Sequence, residues 1–536
     1  MRSLLICGIT TLIFLITGCT GKIERPKDTI YYNLSGEPTT LSPLSSSDAY
    51  SSEVQGYVFD SLLTRDLETY EWKPVLATEF SVSKDNKVYE FKLREGVKWS
   101  DGAEFTAEDV KYSFDVIFSD KYKSVQYRSY YEGIKDVQII DKYRVRYTTK
   151  DEYFLNFDIV AGMAILPKHF YEDPTKTEKD FNKTLIGTGV YKIGKYEKGQ
   201  KITMVKNPLW WGKNLAEYKD QYQINKIVLR FITEENVYLE LLKKGDLDFN
   251  GLRNEAFMKK TNGPLWEKRI IKVKTENKTP KPYTFIGWNY RHKILKDRQV
   301  RKALGMLVNR QFMIDKFEYG MADLATGPVY VQSDYANPAV KPLDFNPKEA
   351  LKILKEAGWR DSDKDGILDK VINGEKTNFS ITILEPNPIY VKYLTIYKED
   401  ARKVGVEINI KPIEWNSFVK LLDERNFEAV RLAWSGGSID WDPKQIWHSS
   451  SIDGVGSNFV GFSNPEVDQL IDASRRSYDR EKRIKMLRRV HELISNDYPY
   501  VFFFNNKYTL YAHNKRIQKL KDSFPYGIGQ QYWVIK

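Results

Sequence analysis

The sequence predicts an α/β protein organised as large mixed-sheet lobes. Helix-like and strand-like segments alternate along the chain without any fixed repeat of about 20 to 50 residues, which excludes solenoids and propellers. At 536 residues the chain is well past the size at which a single core stops growing, so two or more lobes are expected. Only Cys7 and Cys19 carry thiols, leaving everything beyond residue 19 without a disulfide. Stability there must come from burial, and an aromatic content of 14% supplies the bulk for it.

The elements follow in order. Arg2, an apolar-dominated run from Leu4 to Ile16 and then Thr17-Gly18-Cys19 have the layout of a secretory signal, residues 1–18. The run is too short to span a bilayer, which takes about 20 residues. Ile-Thr-Gly-Cys resembles the lipobox of bacterial lipoproteins, in which Cys19 is lipidated and becomes the first mature residue. Residues 19–27 are short and polar and suit a tether. "TIYYNL" then opens the fold as a strand. "FSVSKDNKVYEFKL" (80–93) alternates apolar and polar residues around a polar turn and reads as a hairpin. Thr106 precedes Glu108 and Asp109 as a helix N-cap, and Val110, Phe114 and Ile117 share one helical face. "ENVYLELLKKGDLDFN" is a helix closed by Gly245 and followed by a strand. Asp297 opens another helix, and Asn346-Pro347 and Asn464-Pro465 are N-cap and first-turn proline pairs. Ile484, Leu487, Val490 and Ile494 line one face of a helix whose other faces, with Arg480, Lys482, Arg483, Lys485 and Arg488, are expected to be solvated. "YVFFF" is a buried strand.

Catalytic patterns are missing from this inventory. There is no Gly-x-Ser-x-Gly elbow and no His-Glu-x-x-His. "GKYEKGQK" has the glycine spacing of a phosphate loop but Gln200 in place of its lysine. The histidines at 169, 292, 448, 491 and 513 are scattered singly, with no i, i+4 pair for a metal. The net charge of +11 comes without an arginine-rich tract or an aromatic-basic motif, which argues against nucleic acid and for a mildly basic surface facing anionic lipid or wall polymer.

Two clusters stand out. Asp361, Asp363, Asp365 and Gly366, followed by Asp369, have the alternating acids and sharp-turn glycine of the first half of a Ca²⁺ loop. The closing glutamate of such a loop is replaced by Ile372, so a solvated Asx-rich turn is the favoured reading and Ca²⁺ the alternative. "LAWSGGSIDWDPKQIWHSSS", from Leu432 to Ser451, sets three tryptophans among glycines, serines and aspartates, as a ligand-facing loop would. A structural loop with Asp442 capping the helix begun by Pro443 is the plainer alternative.

"YEFKLREGVKWSDGAEFTAEDVKYSFD" (89–115), "GEPTTLSP", "GTGVYKI", "FIGWNYR" followed by "DRQVRKAL", "NFVGFSNPEVDQLID" and "YPYVFFF" together resemble family 5 of the extracellular solute-binding proteins, the dipeptide and oligopeptide receptors of bacterial ABC importers. The motifs run from Gly36 to Phe504. The resemblance implies a two-lobed periplasmic-binding-protein fold, type II-like, with an extra subdomain in the first lobe. It places lobe 1 at 28–282 with an insertion at about 61–184, lobe 2 at 283–479, and a return to lobe 1 over 480–536. The implied protein is a monomeric, lipid-anchored receptor outside the cytoplasm that closes on a peptide and passes it to a permease with its ATPase subunits, without a cofactor and without catalysis.

In peptide receptors of this family an acidic residue shortly after the loop tryptophan pairs with the ligand's α-ammonium. Counting from Trp434 without a gap reaches Gly437, and only a gap brings Asp440 into that role. The expected ligand-binding residues are Asp440, Trp434, Ser435, Gly436 and Gly437 from the loop, Trp288 and Asn289 from a cleft-lining strand, and Tyr32. A same-fold receptor for a non-peptide solute such as an oligosaccharide is the alternative, and a secreted lipoprotein enzyme the third.

Overall fold

A computed structural model describes residues 25–536, apart from 47, 123, 125–127, 129, 454 and 455. The signal segment and Cys19 lie outside the described residues. Among the described residues no helix is long and apolar enough to cross a membrane.

Three sheets organise the chain. A seven-stranded sheet runs in the spatial order 270–275, 509–514, 249–251, 29–33, 226–230, 201–206, 191–197. A six-stranded sheet has the order 322–324, 500–506, 283–288, 429–434, 380–385, 407–412. A four-stranded sheet, 77–82, 88–93, 144–149, 134–141, forms the insertion. The expected α/β architecture of two lobes and an added subdomain is what these sheets build.

Local expectations hold at the residues that carry them. The 80–93 segment is the hairpin Ala77–Val82 and Val88–Leu93. Thr106 closes a reciprocal capping box with Asp109, whose carboxylate accepts from the Thr106 N–H at 2.9 Å. Val110, Phe114 and Ile117 turn into the insertion's core. Asn346 and Asn464 cap the helices Pro347–Glu356 and Pro465–Arg475, and Gly245 ends Glu235–Lys244 in left-handed backbone.

Two boundaries differ from expectation. The helix Arg480–Asp497 and the strand Tyr500–Asn506 stay in the second lobe. Ile484, Leu487, Val490 and Ile494 pack there with Tyr283, Phe285 and Trp447, so the chain returns to the first sheet only at Thr509. The insertion's core runs from Leu62 to Ile165, whereas Phe170, Tyr171 and Phe181 already belong to the core of the first lobe.

The lobes are joined by residues 276–282 and 507–508, which link the two large sheets. Lys281 ties these crossings together. Its ammonium donates to Asn277 Oδ1 at 2.7 Å and to Thr279 Oγ1 and Thr509 Oγ1 at 3.1 Å each. It is buried with no carboxylate partner among the described residues, and burial holds its pKa below the usual lysine value.

Candidate ligand-binding cleft

The strand Ala429–Trp434 pairs along its whole length with Tyr283–Trp288 on one side. On the other side it pairs with Ser380–Glu385 only at Ala429 and Val430. From Arg431 to Trp434 that second edge carries no ladder partner among the described residues. Where the strands part, Arg431 and Glu385 form a buried bidentate ion pair, Nε to Oε2 at 2.7 Å, with the guanidinium 3.8 Å above the Tyr390 ring. This pairing anchors the divergence of two strands that would otherwise zip together.

The open edge runs into the loop 435–442. Trp434, half-buried, is stacked between Phe285 at 6.3 Å and Phe459 at 5.9 Å. Both faces of its indole are thus covered by the protein's own rings. Ser435 and Gly437 are exposed, and Gly437 has φ +66°. Gly436 lies against the lobe crossing: a Cβ there would come within 2.4 Å of the Pro280 carbonyl. Only glycine allows the loop to approach the crossing so closely.

The acids of this loop are engaged by the protein itself. Asp440 accepts a hydrogen bond from the Tyr335 hydroxyl and lies 3.6 Å from Arg483 and 4.0 Å from Arg480. Asp442 accepts from the Tyr153 hydroxyl at 2.7 Å, pairs with Arg475 and caps Lys444 N–H at 3.1 Å. Across from them, Asp158 of the insertion pairs with Arg65, whose guanidinium lies 3.9 Å over Trp72. Burial raises the Asp158 pKa; Arg65 opposes the rise and the negative charge of Asp440 adds to it.

The insertion reaches the loop through three aromatic side chains. Tyr70, at φ +65° on its hairpin, lies near Ser438 and packs its ring 4.7 Å from that of Tyr526. Arg475 lies 3.9 Å over the Tyr153 ring and Arg483 lies 4.3 Å over that of Phe154, while Phe154 N–H donates to the Arg475 carbonyl at 2.9 Å. Each of two neighbouring aromatics in one lobe is therefore covered by an arginine of the other, and each arginine is held by a carboxylate of the loop.

Several expected residues fall elsewhere. Trp288 is 0% exposed and lies in the core of the second lobe. Asn289, 3% exposed, donates to the carbonyls of Arg425 and Phe427 at 3.1 and 2.7 Å. Tyr32, 4% exposed, packs edge-on to Phe249 and Trp533. These three are structural and do not line the cleft. Arg483, expected on a solvated face, has a side chain only 7% exposed. Tyr70, Tyr153, Phe154 and Arg475 were not anticipated. Arg483 had a signal: it shares the spacing of Leu487, Val490 and Ile494, and a cation on an apolar stripe needs a partner.

In the acidic loop, Asp361, Asp363 and Asp369 bring carboxylate oxygens within 4.8 Å of one another. Asp365 stands outside that group and caps Ile367 N–H at 2.7 Å. Lys376 pairs with Asp363 and lies 3.6 Å from Asp369, so a cation of the chain's own already sits among the carboxylates. That pairing holds the Asp363 carboxyl below the ordinary range; Asp369 is held low chiefly by hydrogen bonds from Ser362.

Comparison with known proteins shows what this architecture is similar to. Residues 71–454 match the family described as bacterial extracellular solute-binding proteins, family 5 Middle. Over 494 residues the chain is 29% identical to the oligopeptide-binding protein AppA of Bacillus subtilis, covering 90% of this chain and 87% of that one. The structure of the Bacillus subtilis AppA in complex with a nonapeptide superposes with a TM-score of 0.79 at 25% identity, covering 96% of this chain and 100% of that one. NikZ of Campylobacter jejuni in complex with Ni(L-His) has the same fold, with a TM-score of 0.79 at 24% identity over 95% of this chain and 100% of that one.

Proposed function

The chain belongs to the family 5 bacterial extracellular solute-binding proteins, and from that premise we propose that it is the peptide-capturing receptor of an ABC importer, tethered outside the cytoplasm through Cys19 and delivering its ligand to a permease and ATPase. The open edge at Arg431–Trp434 carries this reading. A peptide adds there as a strand, so main-chain hydrogen bonds supply affinity whatever the side chains are. Gly437, with open space around it, lets a backbone approach, and the second lobe's edge faces the insertion that closes over it. Capture and release of a solute calls for no cofactor, and closure requires that the ligand bind the closed form better than the open one.

One observation favours a second reading. Asp440 and Asp442 are both neutralised by arginines, so a solute without an α-ammonium is accommodated equally well by this loop. The ligand then is a blocked peptide or another neutral solute.

Thermal unfolding in the presence of di- to pentapeptides, their N-acetylated forms and oligosaccharides separates these readings. Ligand at about 100 times its dissociation constant adds roughly 2.7 kcal/mol. In the same assay, methylating successive backbone amides of a bound peptide should weaken it at alternate positions only, by about 3- to 10-fold for each hydrogen bond lost. Stabilisation by sugars alone, or methylation effects without alternation, would overturn the peptide-strand reading.

A further inference from the structure

Arg25, the first described residue, is docked rather than free. Its guanidinium pairs with the buried Asp248 at 3.0 Å, donates to the carbonyls of Gly245 and Asp246, and lies 4.2 Å over the Tyr31 ring. Arg516 holds the next residue through the Pro26 carbonyl at 2.9 Å and pairs with the same aspartate at 2.7 Å. Pinning Arg25 leaves only residues 20–24 between Cys19 and the folded surface. Fully extended, that stretch spans roughly 20 Å.

At this exit the exposed cations Lys244, Lys268, Arg269 and Lys515 outnumber the exposed carboxylates Asp246 and Glu267. Arg269 donates to the Lys244 carbonyl, Lys515 N–H to the Arg269 carbonyl at 2.7 Å, and the Lys515 ammonium to the Glu267 carbonyl at 2.6 Å. Lys244, Lys268, Arg269 and Lys515 are all exposed and carry no carboxylate partner among the described residues. Beside them Leu265, on the same short helix as Lys268 and Arg269, stands 66% exposed. A solvated leucine among unpaired cations fits an interface with acyl chains below and anionic headgroups around.

We propose that this pole of the first lobe, around Lys244, Leu265, Lys268, Arg269 and Lys515, rests on the anionic phospholipid surface from which the receptor is tethered. The proposal rests on the reading of Cys19 as the lipidated residue for its geometry, and on the charge pattern for its partner. Each cation brought to an anionic surface strengthens contact about fivefold, an effect that salt removes. The short tether makes the contact intramolecular, at high effective concentration.

The processed, lipid-bearing protein tests it. A single fluorophore is placed at Leu265→Cys or, as a control on the second lobe, at the equally exposed Val371→Cys. Each protein is reconstituted into phosphatidylcholine vesicles, with or without phosphatidylglycerol, carrying a headgroup acceptor. The short tether alone brings position 265 nearer the bilayer than 371, so the signal read is the increase in that excess when phosphatidylglycerol is added. This increase should vanish at high salt and in Lys244→Gln/Lys268→Gln/Arg269→Gln/Lys515→Gln. Indifference of the excess to phosphatidylglycerol overturns the proposal, as does retention of the increase in the quadruple variant. Failure to float with pure phosphatidylcholine vesicles would instead count against lipidation, and flotation that depends on phosphatidylglycerol would then still decide whether this face binds anionic lipid.

Discussion

Asp440 occupies the loop position that invites assignment as a ligand's counter-ion, yet its nearest charges belong to the protein. Arg483 is buried, 3.6 Å away, and stacked on Phe154 of the other lobe. Removing the aspartate's charge therefore leaves a desolvated guanidinium uncompensated, at a cost discounted here by the partial exposure of Asp440. Asp440→Asn is expected to lower stability by on the order of 1–2 kcal/mol in denaturant melts, and to leave the ratio of affinities for free and N-acetylated peptides unchanged. Loss of discrimination between the two peptides at unaltered stability would identify Asp440 as the ammonium partner after all. The loop stands out in sequence because glycines, serines and tryptophans rarely cluster without reason, a signal that a ligand-facing loop and a structural one share. Trp288 and Asn289 were misplaced because the strand 283–288 is buried throughout. A strand buried on both faces shows no alternation, and nothing in its pattern separates a cleft wall from a core layer.

Elements whose signals are local were the readable ones. Thr106, Asn346 and Asn464 satisfy N–H groups within their own first turns, so their roles depend on neighbours a few residues away. The helix Arg480–Asp497 shows the limit. Its apolar stripe was clear, but which lobe it covers depends on strand partners far away in sequence. The same helix carries His491, fully buried, with Nδ1 3.4 Å from Asn337 N–H and Nε2 3.4 Å from the Thr326 hydroxyl. With no carboxylate to favour the charged form, burial lowers its pKa to about 4. The unfolded chain takes up the proton near the ordinary value of about 6.5, while the folded helix does not. Stability is thus undiminished above about pH 6.5 and is lost progressively as pH falls toward 4, by roughly 3 kcal/mol in all. His491→Gln should flatten that part of the melting-temperature profile relative to the parent. An unchanged slope between pH 6.5 and 4 would place the acid sensitivity elsewhere.

At the scale of the whole molecule, several contacts join the lobes, including Asn254 with Glu318 and Glu255 with Lys392, and two of them differ in how they meet a hinge motion. At the crossings, Lys281 ties 277, 279 and 509 together close to the axis of any hinge, so those bonds survive small rotations. The contacts of Tyr153 and Phe154 with Asp442, Arg475 and Arg483 connect the insertion to the loop, and opening of the cleft is expected to break them. If they hold the closed form in the absence of ligand, they set how much of the free receptor is already closed. Apparent affinity falls in proportion to that fraction whenever closure is a minority state. Arg475→Ala keeps the backbone bond from Phe154 but removes the guanidinium that bridges the Tyr153 ring and Asp442. A loss of about 1–2 kcal/mol is reasonable for a partly buried cation–π contact and ion pair. Ligand affinity should then drop roughly 5- to 30-fold, and the radius of gyration of the ligand-free protein from X-ray scattering should rise while that of the ligand-saturated protein stays the same. Weaker binding with an unchanged ligand-free radius would mean that Arg475 acts on the loop through Asp442 alone. If neither quantity moved, the closed form would owe its stability to the ligand and not to this bridge.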